Sequence, residues 1–212
     1  MSVRFLCNTF TVLAAALFLS ACSGSPEMNA AKATVEQAKP QPTPPPEPVA
    51  ALTAFYEMYR PARTWAPDLL PLSLAANDLP GMKATGGKAG LWTAVFVSPG
   101  RREARTYYYA VMDSPLAPKG ATARAVQAWG GPTRDNHPFQ NTEIMVNSDA
   151  AWNTAATKAA AWLKKHPDKP VMLQLVASAR FPSPVWFIMW GDKKDGYAAF
   201  INATTGDPMS GK

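Results

Sequence analysis

The sequence predicts an α+β fold of two tandem α-β-β-β units, each a helix packed on a small antiparallel sheet. Three observations carry that expectation. A helix-period apolar stripe followed by three strand-like runs occurs twice along the chain. The first strand of each half follows a Pro-Asp pair: Pro67-Asp68-Leu-Leu-Pro-Leu-Ser-Leu74 aligns with Pro167-Asp168-Lys-Pro-Val-Met-Leu-Gln-Leu175, with one residue of slippage. Leu91-Trp92 then aligns with Val185-Trp186 at the start of each second strand. A small sheet needs a cover for one face, and one helix per unit supplies it.

Taken in order, residues 1–21 hold a single charge, Arg4, and an apolar run from Phe5 to Leu19. That is the length of a signal peptide, too short to need a membrane span. The run closes on Leu19-Ser20-Ala21-Cys22, which resembles the lipobox of bacterial lipoproteins. The resemblance implies cleavage before Cys22 and lipidation of its thiol, with an ordinary secretory signal ending at Ser20-Ala21 as the alternative. One acyl chain, at about 0.8 kcal/mol per CH₂, holds a protein marginally, and two or three hold it stably. Ser23 stands where inner-membrane retention signals typically have Asp. In a Gram-negative host the resemblance therefore implies an outer-membrane anchor facing the periplasm. Cys7 lies in the discarded segment, so the mature chain has no thiol for a disulfide or a metal.

Residues 22–48 are rich in Ala, Pro, Gln, Glu and Lys, with six prolines in Pro40-Gln-Pro-Thr-Pro-Pro-Pro-Glu-Pro48. Proline fixes φ and removes donors, so this stretch is expected to be an unfolded, extended spacer of about 3.1 Å per residue.

The first α+β unit is expected over 49–120. Leu52, Phe55, Tyr56 and Tyr59 share a helical face, and the helix is expected over Val49–Arg60, stopped by Pro61. A strand over Leu69–Ala75, a Gly-rich connection over Asn77–Gly90, and a hairpin of Leu91–Ser98 with Arg105–Met112 follow. Residues 121–148 are expected to connect the units through a short helix, Thr122–Trp129, closed by Gly130-Gly131-Pro132, and a polar loop. In the second unit, 149–212, the helix Ala150–Lys165 is capped by Ser148 or Asp149, with Trp152, Ala155, Ala156, Ala159 and Leu163 as its stripe. The strands Val171–Ala179, Val185–Trp190 and Tyr197–Ala203 complete it.

The last strand and turn, Tyr197-Ala-Ala-Phe-Ile-Asn-Ala-Thr-Thr-Gly206-Asp-Pro-Met, resemble the end of a PepSY-type module, over roughly 149–212. Asn202 and Pro208 depart from that pattern, which favours Asp and an aliphatic residue there. The resemblance implies a small non-catalytic unit that binds or restrains a peptidase or another envelope protein.

Strand alternation places Val185, Phe187 and Met189 on one side and Trp186, Ile188 and Trp190 on the other. Both sides are apolar, so one needs the second unit, a loop or a partner. Trp and Tyr are frequent binding anchors, and Trp186, Ile188, Trp190, Tyr107 and Tyr109 are the candidate binding residues.

Catalytic, cofactor and metal motifs are not expected. His137 and His166 each precede a loop proline, zinc spacing is missing, and Gly81-Met-Lys-Ala-Thr-Gly86-Gly87-Lys88-Ala89 departs from a phosphate loop in register and in the hydroxyl it needs. The net charge of +6 becomes +5 once Arg4 is cut away, a mild basic balance that bears on non-specific attraction. Arg101, Arg102 and Arg105 form one basic tip and Lys164, Lys165, His166 and Lys169 another. For an exported chain these exclude nucleic acid as the expected partner. The sequence thus points to a lipid-anchored, non-catalytic binding protein of the cell envelope, or to a structural or assembly lipoprotein that contacts peptidoglycan or outer-membrane proteins.

Overall fold

Leu74 and Leu175 lie directly opposite each other where the two halves of one antiparallel sheet meet. A computed structural model of the chain describes residues 45–210. The signal peptide, Cys22 and the spacer up to Pro44 lie outside the described residues.

The first half runs β1 (Val49–Ala50), α1 (Ala51–Trp65), β2 (Leu70–Asn77), β3 (Lys88–Ala89), β4 (Leu91–Ser98), β5 (Glu103–Ala110) and β6 (Gly120–Ala128). The second runs through a short 3₁₀ turn at Asn141–Glu143, then α2 (Ser148–Leu163), β7 (Val171–Val176), β8 (Val185–Trp190), β9 (Tyr197–Asn202) and β10 (Pro208–Met209). Eight strands form a single sheet in the order β10-β9-β8-β7-β2-β4-β5-β6, with β1 and β3 paired separately. The fold is α+β, as expected. The two units do not carry separate sheets, however; they join edge to edge through Ser73↔Val176, Leu74↔Leu175 and Ala75↔Gln174.

The two halves correspond side chain by side chain. Trp92 donates its indole N–H to the Val49 carbonyl at 3.0 Å, and Trp186 donates to Val146 at 2.8 Å. Each acceptor stands two residues before a helix begins. Counted from those helix starts, Ala51, Ala54, Met58 and Ala62 match Ser148, Ala151, Ala155 and Ala159, and all eight are buried. Both helices lie on one face of the sheet. Their buried stripes share a core with Trp92, Phe96, Tyr107, Leu173, Leu175, Trp186, Ile188 and Ile201. That burial, at roughly 25 cal/mol per Å², is the main force holding helix to sheet.

Two expectations need correction. Pro61 does not end the first helix, which continues through Ala62 to Trp65. Proline removes one i→i−4 bond and crowds the preceding turn, at a cost of about 3 kcal/mol; the complete burial of Ala62 and Ala66 beyond it offsets part of that cost. Thr122–Trp129 is not a helix but lies mostly in β6, paired with β5 from Glu103↔Ala128 to Ala110↔Gly120. Ala, Arg and Gln favour a helix locally, yet the open backbone groups of β5 offer a full ladder, and tertiary pairing overrides propensity.

Asn147, rather than Ser148 or Asp149, caps α2, its side-chain oxygen accepting from the Ser148 N–H at 2.8 Å. The Gly-rich connection is a tight hairpin. Thr85 and Lys88 exchange two 2.9 Å backbone bonds around Gly86 and Gly87, both at positive φ. No described helix is long and apolar enough to cross a membrane.

Candidate binding face

Strand alternation divides the sheet into a helix-covered face and a second face, here called the open face, that loops cover only in part, Val97, Ala110 and Val185 being buried on it. Trp186, Ile188 and Trp190 point under α2, at 0%, 0% and 3% exposure, and Tyr107 points under α1 at 1%. This corrects their assignment as binding residues, since a side chain sealed in the core cannot touch a partner without unfolding. Trp190 meets Trp152 edge-on at 5.1 Å, and Tyr107 meets Phe96 at 5.6 Å. The Tyr107 hydroxyl is buried without a partner, and burial pushes its pKa up, keeping it neutral. Tyr109, half-buried, packs against the same core.

The open face carries the other set. A transverse row crosses all eight strands: Met209, Phe200, Phe187, Gln174, Ala75, Thr93, Tyr108 and Thr122. Its centre is small and polar, and its flanks are aromatic. At one flank Arg124 sits over the Tyr108 ring at 5.0 Å. At the other, Phe200 lies 5.1 Å from Phe187 and 5.0 Å from Phe181, ring centre to ring centre. Arg180 stacks over Phe181 at 5.2 Å and reaches Phe200 at 6.0 Å.

These three phenylalanines floor a cleft of about 420 Å³, walled by Val176, Val185, Gln174 and Ser178 and rimmed by Arg134, Asp135 and Arg180. Its rim is built by two loops. The turn after β7 closes with Ser178 N–H to the Phe181 carbonyl at 2.9 Å and Phe181 N–H to the Ser178 hydroxyl at 3.2 Å, which sets Arg180 over the rings. The connection from β6 to α2 docks beside it through Ala179 N–H to the Arg134 carbonyl and His137 N–H to the Ala177 carbonyl, both 2.9 Å. Arg180 and Phe181 come from the turn after β7, Phe187 from β8, Phe200 from β9 and Arg134 from the β6–α2 connection, so no local pattern links the set. The one available signal was that both sides of Val185–Trp190 are apolar, which did not tell the Phe187 side from the Trp186 side.

His137 and His166 do not converge on a common centre: His137 belongs to that docking loop, whereas His166 stacks on Trp162 at 4.3 Å with its ring Nδ1 3.0 Å from the Trp162 carbonyl. Among the described residues no three His, Cys, Asp or Glu side chains cluster as metal ligands.

No protein-family model and no curated protein matches the chain. The PepSY resemblance of 149–212 gains no support from that side. Among solved structures the chain is similar to a candidate lipoprotein from Clostridium difficile 630, at 9% identity and a TM-score of 0.42, over 74% of this chain and 90% of that one.

Proposed function

We propose that this chain is a lipid-anchored, non-catalytic binding protein of the bacterial cell envelope, and that it engages a protein partner, such as a peptidase, through the open face of its sheet. The lipobox-like Leu19-Ser20-Ala21-Cys22 and the proline-rich stretch behind it support the anchor and spacer. One observation carries the binding role: a row of residues across eight strands stands on a face that bears neither helix, with phenylalanine and tyrosine at its flanks. Tyr108, Phe187 and Phe200, half-buried on that face, supply apolar area that a partner can bury.

The test is capture from envelope extract by the full chain in mild detergent. Wild-type protein is compared with Phe187→Thr and Tyr108→Thr variants of equal thermal stability. A partner retained by wild type and lost from either variant supports the reading. Capture indifferent to both changes, or no specific capture, refutes it.

A further inference from the structure

The duplicated fold supplies its own control for the cleft. Phe187 in the second half corresponds to Thr93 in the first, each following its repeat's buried tryptophan by one residue. The same strand position thus carries a threonine in one half and a phenylalanine in the other, so the strand pairing alone does not call for Phe187. Phe181 sits in a turn after β7 and has no counterpart among the aromatic contacts of the first half, where Tyr108 takes the place of Phe200 opposite Thr93. Phe187 and Phe200 are half-buried and Phe181, which closes over them, is buried, so a ring pair only partly covered by the chain itself points to a ligand.

Charge narrows the ligand. The rim holds two guanidinium groups and one carboxylate, Asp135. The ion pairs among the described residues are Arg60–Glu57 and Lys169–Asp195, so neither Arg134 nor Arg180 is in a close ion pair there, and the rim keeps one positive charge in excess. The Arg180 guanidinium carbon lies 5.2 Å from the Phe181 ring centre and 6.0 Å from that of Phe200, beside the apolar floor, where its planar N–H fork suits a carboxylate. About 420 Å³ accommodates one large apolar side chain with its adjoining backbone.

We infer that the Phe181–Phe187–Phe200 cleft is a subsite for the C-terminal residue of a polypeptide, taking an aromatic side chain onto its floor and the terminal carboxylate onto Arg180 and Arg134. This rests on the open face being the binding face, and it names the partner's chemistry there.

The experiment measures binding of the full chain in mild detergent to an N-acetylated tetrapeptide of three glycines and a terminal phenylalanine. The same peptide as its C-terminal amide, a tetraglycine acid, and free hydrocinnamate are the comparison probes. The phenylalanine acid should bind about tenfold or more tightly than the amide, since the amide forfeits a charge-assisted pair. Tetraglycine should not compete. Arg180→Ala should abolish the preference for the acid. Phe187→Thr, which places at 187 the residue found at the corresponding position of the first half, should weaken binding measured well below the variant's own thermal midpoint. Equal affinity for acid and amide, or no binding, overturns the inference. Hydrocinnamate binding as tightly as the peptide also overturns it in favour of a small-molecule site. An envelope partner captured through Tyr108 and indifferent to Arg180 and Phe187 would leave the broader reading standing and this one refuted.

Discussion

Ser148 accepts a hydrogen bond from the Ala51 N–H at 2.8 Å, so a side chain that opens the second helix caps the first. The same hydroxyl donates to the Gly87 carbonyl at 2.6 Å, and Asn147 accepts from the Leu52 N–H at 3.0 Å. Helix α1 has no cap in its own sequence, since Ala50 offers none. Its orphan donors are satisfied from the other half. Replacing Ser148 by Ala leaves a buried N–H and a buried carbonyl without partners, and should cost about 1–3 kcal/mol. Urea unfolding followed by Trp fluorescence is the check, and both halves should melt in one transition. Two resolved transitions would refute the coupling.

Gly87 is the other side of that contact. A Cβ built there meets the Ser148 carbonyl oxygen and comes within 2.6 Å of the Asp149 nitrogen, and its φ of +75° is strained for any L side chain. Gly87→Ala should therefore destabilise by about 2–4 kcal/mol, the sum of overpacking and a left-handed residue. Gly86→Ala is the control. It shares the positive φ but meets nothing within 4 Å, and it should cost only the backbone part.

Asp68 holds the β4–β5 turn by accepting from the Ser98 hydroxyl at 2.7 Å and from the Gly100 N–H at 2.9 Å. The Ser98 bond first, and then the Gly100 bond, keep its carboxyl below the ordinary aspartate range. A depressed folded-state pKa contributes stability fully above the unfolded value, and that contribution is lost as pH falls through the folded value. The stability gap between wild type and Asp68→Asn should thus be constant above about pH 4 and close below it. Unfolding midpoints measured from pH 6 down to 2 would show this. A gap unchanged across the range would assign the carboxylate no role.

Pro61 interrupts the hydrogen bonding of α1 from inside. Pro61→Ala restores an N–H donor for the Glu57 carbonyl and removes the ring. It should raise stability by about 1 kcal/mol or more once the looser unfolded chain is allowed for. Thermal and urea midpoints that both fall would show that the helix needs the proline.

Cys22→Ser should lose both acyl labelling and membrane retention, because the thiol is the only point at which the lipobox chemistry can act. A variant that stays lipid-labelled removes the anchor from the proposed function.

The strands β7, β8 and β9 and the middle of β2 and β4 were legible because buried side chains alternate with more exposed ones, β5 because of its run of β-favouring tyrosines, and the matching halves because Trp92 and Trp186 are bulky markers at matching positions. Strand β6 was not: eight of its residues between Ala121 and Ala128 show no buried face, so nothing in Ala-Thr-Ala-Arg-Ala-Val-Gln-Ala registers the neighbour that makes it a strand. The choice of sheet face was equally hidden. Val185-Trp-Phe-Ile-Met-Trp190 is apolar on both sides, and only the helices decide that the tryptophans go inward and Phe187 outward. The cleft escaped for a different reason, because Arg134 and Arg180 reach Phe187 and Phe200 through loop docking that no short-range pattern encodes.

The three residue pairs centred on Leu74 and Leu175 run antiparallel between strands that hold equivalent places in their repeats. That is the symmetry of a homodimer contact, in which the same patch meets itself. A single repeat cut away from its twin would present Leu74 on an open strand edge and α1 without its cap. The chain is thus organised like a dimer joined in one polypeptide, with Thr93 in one half and Phe187 at the matching place in the other.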